Sequence, residues 1–187
     1  MGSNSIEANA RMCMTSAVTG YFASYGSDAP PTSYEDIEDA DMISFWGHNA
    51  REAHPVLFWR VADHKKQADI PTLVSDPRRT GTVQGLENIN PRNSTHLATL
   101  NGDISYLNAI AHVILTKYPR AVMPDAWLSK NTNNHKEYIA GIKARYSPEQ
   151  VIKRLALLDK NRVTVEQIET VAKQWAEASI KGRERGK

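Results

Sequence analysis

The sequence alternates between helical patterns and short strand-forming runs, and this alternation constrains the fold more than any other feature. Apolar and β-branched residues favour strands at 41–46, 71–75 and 95–98, and each run is followed by a polar loop and then by a helical pattern. Such an order is typical of a parallel sheet whose strands are joined by helices. We therefore predict an α/β fold, with an open, doubly wound and mostly parallel sheet, helices on both faces, and a C-terminal third that is helical.

Several helices have recognisable boundaries. A helical pattern over 9–25 ends at Gly26, and Asp103 is placed to cap a helix that begins there. In that helix the apolar spacing predicts a buried stripe formed by Ile104, Leu107, Ala111 and Ile114. The sequences SPEQ at 147–150 and TVEQ at 164–167 have the form of capping boxes, so we expect helices to begin there.

Composition and charge exclude several classes of protein. With 187 residues, 41% hydrophobic and 24% charged, the chain is expected to form one domain over 1–187 with a disordered tail at 181–187. The formal net charge of +2 provides no field for nucleic acid. No apolar run approaches the roughly 20 residues that span a bilayer. We expect neither a nucleic-acid partner nor a membrane span, while the single cysteine and the polar N-terminal residues leave periplasm and cytoplasm open.

A first polar segment follows the first strand and leads into a helix. It consists of Trp46, Gly47, His48, Asn49, Ala50, Arg51, Glu52 and Ala53. Gly47 permits close approach of the backbone, and the amides at the helix start would face an anion such as a pyrophosphate. A structural turn capped by Asn49 is the alternative.

Two further polar segments follow the second and third strands. They consist of Ser75, Asp76, Pro77, Arg78 and Arg79, and of Asn101, Gly102 and Asp103. Asp76 can accept hydrogen bonds from ribose hydroxyls or a purine edge, and an arginine can neutralise phosphate. The alternatives are a solvated loop and an acidic N-cap. All three segments lie where open α/β sheets bind ligands.

The only cysteine, Cys13, lies near the start of the first helical pattern. The helix dipole and the neighbouring Arg11 would favour its thiolate form, which suits a soft metal ligand or a nucleophile. A lone cysteine can instead be a small buried hydrophobic residue. A nucleophile would need a histidine close by, and His48 and His54 are the available candidates.

Five segments together resemble one enzyme family. They are NARMCMTSAVTGY at 9–21, SYEDIEDAD at 33–41, WGHNAREAHP at 46–55, SDPRRT at 75–80 and NGD at 101–103. In letters, order and separation they resemble the molybdenum oxidoreductases that bind bis-molybdopterin guanine dinucleotide (bis-MGD), the family of dimethyl sulfoxide reductase, formate dehydrogenase and the nitrate reductases. The chain is similar to an internal fragment of a nitrate reductase-like catalytic subunit.

The resemblance implies roles for these residues. Cys13 would supply a thiolate to molybdenum, with Met14 beside it as a second catalytic residue. The three strand-end segments would hold one guanine dinucleotide arm. The chain would then be a single MGD-binding domain of a larger enzyme, to which other regions add an iron–sulfur cluster, further domains and contacts with a redox electron-transfer partner.

Met14 favours nitrate as the oxyanion substrate, because formate dehydrogenases of this family typically have histidine after the metal ligand. The implied reaction is reduction of nitrate to nitrite by oxygen-atom transfer at molybdenum. The stretch 176–187 resembles an insertion of arsenite oxidases, so an arsenite oxidase-like or formate dehydrogenase-like enzyme stays an alternative, as does an inactive nucleotide-binding module. In each case we expect the isolated chain to have no turnover.

Overall fold

The structure is a computed structural model that describes residues 2–6, 14–156 and 162–186. Its contacts divide the chain into two units, Met1–Asp36 and Ile37–Lys187. That the whole chain acts as one binding domain stays a prediction.

The first unit contains helix α1 (Met14–Tyr25). It ends as the sequence predicts, because Gly26 adopts a φ of +71° and its N–H donates to Phe22 O over 3.0 Å. None of the residues of α1 is buried. The first residues of the predicted helix, 9–13, lie outside the described residues.

The second unit contains a parallel sheet of three strands in the order β1 (Ile43–Trp46), β2 (Thr72–Ser75) and β3 (Ser94–Leu97). In its register Thr72 lies opposite both Ile43 and Ser94. All four residues of β2 are buried, as a central strand requires. The three predicted strands and their parallel arrangement are therefore confirmed.

Helices precede, connect and follow the strands. They are α2 (Asp36–Asp39), α3 (Ala50–Ala53), α4 (Pro55–Ala68), α5 (Gly81–Ile89), α6 (Asp103–Lys117), α7 (Asp125–Asn131), α8 (His135–Arg145), α9 (Pro148–Leu155) and α10 (Val165–Glu184), with 3-10 turns at Pro91–Asn93 and Pro119–Ala121. None of the helices in the described ranges is long and apolar enough to cross a membrane.

Two hydrophobic cores lie on opposite faces of the sheet. Leu73 belongs to a core with α6, α9 and α10, and the next residue, Val74, belongs to a core with α4 and α5. Successive side chains of a strand point to opposite faces, so β2 contributes to both layers. The predicted doubly wound arrangement and the helical C-terminal third are confirmed.

The predicted buried stripe of α6 is wrong in its phase. Ile104 is 76% exposed and Leu107 is also exposed. The fully buried positions are Tyr106, Ala109, Ile110 and Val113. This helix is apolar over much of its circumference, so spacing alone fits more than one stripe, and packing against α9 and α10 selects the one that is buried.

Both capping boxes are confirmed. Ser147 and Thr164 each accept a hydrogen bond from the backbone N–H of the glutamine three residues later, whose side chain in turn accepts from the backbone N–H of the capping residue. Ser147 is the N-cap of α9, and Thr164 is the N-cap of α10.

The expectation of a disordered tail at 181–187 is wrong for its first four residues, which are helical. Lys181 pairs with Asp41 over 3.2 Å, and Arg185 pairs with the same carboxylate. Arg183 donates to Val122 O over 3.2 Å. The charges that suggested a frayed end therefore hold α10 to neighbouring segments, and Lys187 lies outside the described residues.

Candidate functional site

The three predicted polar segments begin side by side at the carboxyl edge of the sheet. Trp46 lies opposite Ser75, which lies opposite Leu97. Gly47 N–H donates to Ser75 O over 2.8 Å, and Asp76 N–H donates to Leu97 O over 3.1 Å. We call the segments 46–53, 75–80 and 98–103 the first, second and third loops. They meet at the edge where open α/β sheets bind ligands.

Gly47 leaves the backbone of the first loop open. Its φ of +59° is a conformation that favours glycine, and a Cβ there would meet no described atom within 4 Å. Trp46, directly before it, is half-buried and packs against the core of α6, α9 and α10. The strand end is therefore anchored while the following peptide is accessible.

His48 forms a hydrogen bond with His54, with 2.7 Å between Nε2 of the first and Nδ1 of the second. One nitrogen must donate and the other accept, so the two rings share a single proton across this bond. Burial, and secondly the charge of His54, lower the pKa of His48. His54 was not among the predicted binding residues.

Asn49 is the N-cap residue of α3, as the structural alternative expects, but its side chain makes no cap hydrogen bond. It points instead to Thr82 in α5, whose N–H and hydroxyl donate to Asn49 Oδ1 over 3.3 and 3.0 Å. Arg51 N–H donates to Thr82 Oγ1 over 2.9 Å, and Ala50 is fully buried. Thr82 therefore connects the first loop to the helix that follows the second.

The remaining side chains of the first loop lie against α5 or in solvent. Arg51 Nη1 donates to Gly81 O over 3.4 Å, and a Cβ on Gly81 would lie 2.9 Å from Glu52 Oε1. The absence of a side chain at Gly81 thus permits the close approach of Glu52. Ala53 is exposed.

In the second loop Asp76 is buried, with 5% of its surface exposed. Its Oδ1 accepts from Arg78 N–H over 2.8 Å, and its backbone oxygen lies 2.8 Å from His96 Nε2, which must be the donor because a carbonyl only accepts. Pro77 is exposed, and the guanidinium of Arg79 pairs with Glu87.

Two further polar side chains of the second loop are those of Arg78 and Thr80. The guanidinium of Arg78 is 81% exposed and lies 3.9 Å from Asp76 Oδ1. Thr80, the N-cap of α5, buries a hydroxyl that has no hydrogen-bond partner among the described residues. A buried polar group without a hydrogen-bond partner is costly to the fold.

In the third loop a network of side chains ties β2 to α6. Ser75 Oγ lies 2.6 Å from Thr99 Oγ1 and donates to Asp103 Oδ1 over 3.1 Å. Asp103 is the first residue of α6 and not its N-cap, which is Gly102, so the acidic-cap alternative is wrong. Asn101 adopts a φ of +54° and is exposed.

Pockets for small ligands typically have volumes of about 300–1,000 Å³. A groove of ≈ 520 Å³ lies beside the second and third loops. It is lined by Pro77, Arg79, His96, Ala98, Leu100, Arg162 and Gln167. Arg162 contributes a positive charge to this lining, while the charge of Arg79 is offset by its pair with Glu87. Arg162 lies just before α10 and Gln167 lies in its first turn, where it belongs to the capping box.

The predicted metal ligand, Cys13, lies outside the described residues. Met14 is the first residue of α1 and is 36% exposed. Within the described ranges, no group of three or more histidine, cysteine, aspartate or glutamate residues could hold a metal ion. The metal-binding role of Cys13 and the catalytic role of Met14 stay predictions.

These features define an α/β domain of the class that binds ligands at the carboxyl edge of a parallel sheet. The sequence model of the molybdopterin oxidoreductase family matches residues 1–163, and the chain belongs to this family. Membership implies a molybdopterin cofactor with molybdenum.

Relatives of this chain include several nitrate reductases. The nitrate reductase of Synechocystis sp. is 34% identical over 180 residues, which cover 95% of this chain and 23% of the relative. The periplasmic nitrate reductase of Desulfovibrio desulfuricans is 34% identical over 187 residues, with the same coverage. The nitrate reductase of Klebsiella oxytoca is 41% identical over 117 residues, covering 59% of this chain and 13% of the relative. The chain spans less than a quarter of the length of these curated relatives.

Among solved structures, acetylene hydratase from Pelobacter acetylenicus matches with a TM-score of 0.63 and 18% sequence identity. The match covers 86% of this chain and 19% of that one. This similarity supports the fold.

Proposed function

We propose that this chain holds one guanine dinucleotide arm of a bis-MGD cofactor in a larger enzyme that reduces nitrate to nitrite. The observation that carries the proposal is the meeting of the three polar loops at the carboxyl edge of the sheet. The names of the relatives support nitrate as the substrate.

The polar groups at this edge fit a nucleotide. The buried carboxylate of Asp76 suits ribose hydroxyls, which are donors, and the exposed guanidinium of Arg78 suits a phosphate. The open backbone at Gly47 permits a ligand to approach closely. Asn101 presents an exposed amide beside them.

For the metal we propose Cys13 as the thiolate ligand, with Met14 beside it. When bound, the cofactor supplies two-electron oxygen-atom transfer at molybdenum, and the residues of this chain bind and orient it. An iron–sulfur cluster, the contacts to a second dinucleotide arm and the surface for a redox partner are proposed to come from the rest of the enzyme.

A segment exchange tests this proposal. In the Synechocystis nitrate reductase, the 180-residue region that matches would be replaced by this chain. We expect the chimera to retain molybdenum and guanine and to oxidise reduced viologen when nitrate is added. A chimera without bound guanine would refute the dinucleotide role, and turnover of formate or arsenite but not nitrate would refute the substrate.

The matched control is the same chimera with Cys13→Ala. We expect it to keep bound guanine, because the nucleotide contacts lie in the three loops, and to lose nitrate-dependent turnover. Full activity of this variant would remove Cys13 from the mechanism.

A further inference from the structure

Thr82 joins the first loop to α5 through three hydrogen bonds. Its backbone N–H and its hydroxyl donate to Asn49 Oδ1, and its hydroxyl oxygen accepts from Arg51 N–H. Thr82 is completely buried, as is Ala50 between its two partners. The bonds are therefore shielded from water, where a hydrogen bond is electrostatically stronger.

These bonds determine which atoms of Asn49 remain for a ligand. The backbone N–H of Thr82 can only donate, so the side-chain atom of Asn49 that faces it is the carbonyl oxygen. A flipped amide would set N–H against N–H and lose the bond from the backbone of Thr82. Within the described part of the chain, Asn49 Nδ2 has no hydrogen-bond partner, and Asn49 is only half-buried. Its two N–H groups are therefore available to an incoming group.

We propose that Thr82 is a positioning residue, which turns Asn49 so that its Nδ2 group donates to an acceptor on the bound dinucleotide, such as a pyrophosphate oxygen. This inference rests on the proposed function, which supplies the dinucleotide. Thr82 does not touch the ligand. It makes the first loop selective for a group that accepts hydrogen bonds.

The first test needs no ligand. Thr82→Val keeps the shape of the side chain and removes the hydroxyl, while Thr82→Ser keeps the hydroxyl and is the matched control. We expect Thr82→Val to speed hydrogen exchange of the Arg51 amide about tenfold, since one shielded hydrogen bond is lost. The Thr82→Ser variant should exchange at close to the original rate.

The second test measures binding of guanosine diphosphate to the 187-residue chain by chemical-shift titration. Asn49→Asp keeps an oxygen facing Thr82 but replaces the amide donor with a negatively charged oxygen. We expect its dissociation constant to rise about tenfold or more, with Arg51 exchange unchanged. Thr82→Val should also weaken binding, and Thr82→Ser should restore it.

Three results would overturn these statements separately. Unchanged Arg51 exchange in Thr82→Val would refute the positioning bonds. Unchanged affinity in Asn49→Asp, with the original chain binding the nucleotide, would refute the donor role of Asn49. Absence of saturable binding to the original chain would refute the proposed function, and with it the ligand assigned to Asn49, whatever the exchange rates show.

Discussion

Lys65 is a buried ammonium group that should make the stability of the fold depend on pH. It lies in α4 with 1% of its surface exposed, and its Nζ donates to Ile70 O and Asn93 O, each over 2.9 Å. Burial lowers its pKa from 10.5 to about 8, although the charge of Asp69 acts in the opposite direction.

The direction of the pH dependence follows from whether the folded or the unfolded chain holds the proton of Lys65. Below pH 8 the lysine is protonated in both the folded and the unfolded chain, so it does not change the free energy of unfolding with pH. Between about pH 8 and 10.5 the folded protein has lost the proton and the unfolded chain keeps it, so unfolding takes up a proton. The free energy of unfolding should therefore rise with pH in this window. At about 1.36 kcal/mol per pH unit, the lowered pKa of Lys65 corresponds to a rise of about 3 kcal/mol in the free energy of unfolding over the whole window.

Urea unfolding at pH 7 to 10 tests this, with Lys65→Met as the reference that lacks the titrating group. The methionine variant leaves the carbonyls of Ile70 and Asn93 without this donor, which lowers stability by about 1–3 kcal/mol at every pH. On top of that constant difference, the original chain should gain about 2 kcal/mol or more over the variant between pH 8 and 10. A difference that stays constant with pH would refute the argument that burial depresses the lysine pKa.

Three further changes test the packing, the histidine pair and the capping. Gly102→Ala should lower the free energy of unfolding by about 1–3 kcal/mol in urea, because its Cβ would lie 2.8 Å from both Leu155 and Tyr106, and unchanged stability would contradict the close packing. His54→Ala should raise the pKa of His48 in an imidazole NMR titration, because the second cause of its depression is removed; a further fall would contradict this. Thr164→Ala should cost about 1 kcal/mol in the same urea assay while Thr164→Ser costs little, and equal losses would contradict the cap.

The strands and helix starts could be predicted because their signals are local. The run at 71–75 is apolar and β-branched and ends at Asp76-Pro77, and β2 forms there. The capping boxes at Ser147 and Thr164 depend on residues three apart, and both helices begin where these predict.

Features that depend on packing between distant segments could not be predicted. The phase of α6 depends on α9 and α10, which bury Tyr106 and leave Ile104 exposed. Likewise α10 extends through the expected tail because Asp41, far away in the sequence, pairs with Lys181 and Arg185. Spacing within one helix contains no information on either partner.

The candidate site likewise combines features that local signals predict with features that depend on distant segments. The sequence predicts which loops come together, because parallel strands place their carboxyl ends at one edge. It gives no signal for Thr82, Thr99 or His96, whose hydrogen bonds reach partners 31, 24 and 20 residues away. These residues position the predicted groups, and only the folded arrangement identifies them.

The most direct test of the central claim is a chemical-shift map of guanosine diphosphate on this chain. The account predicts saturable shifts of backbone amides in 46–53, 75–80 and 98–103, three segments that are distant in sequence and adjacent at the sheet edge. Shifts confined to α7 and α8, or no saturable shift at any concentration, would contradict it.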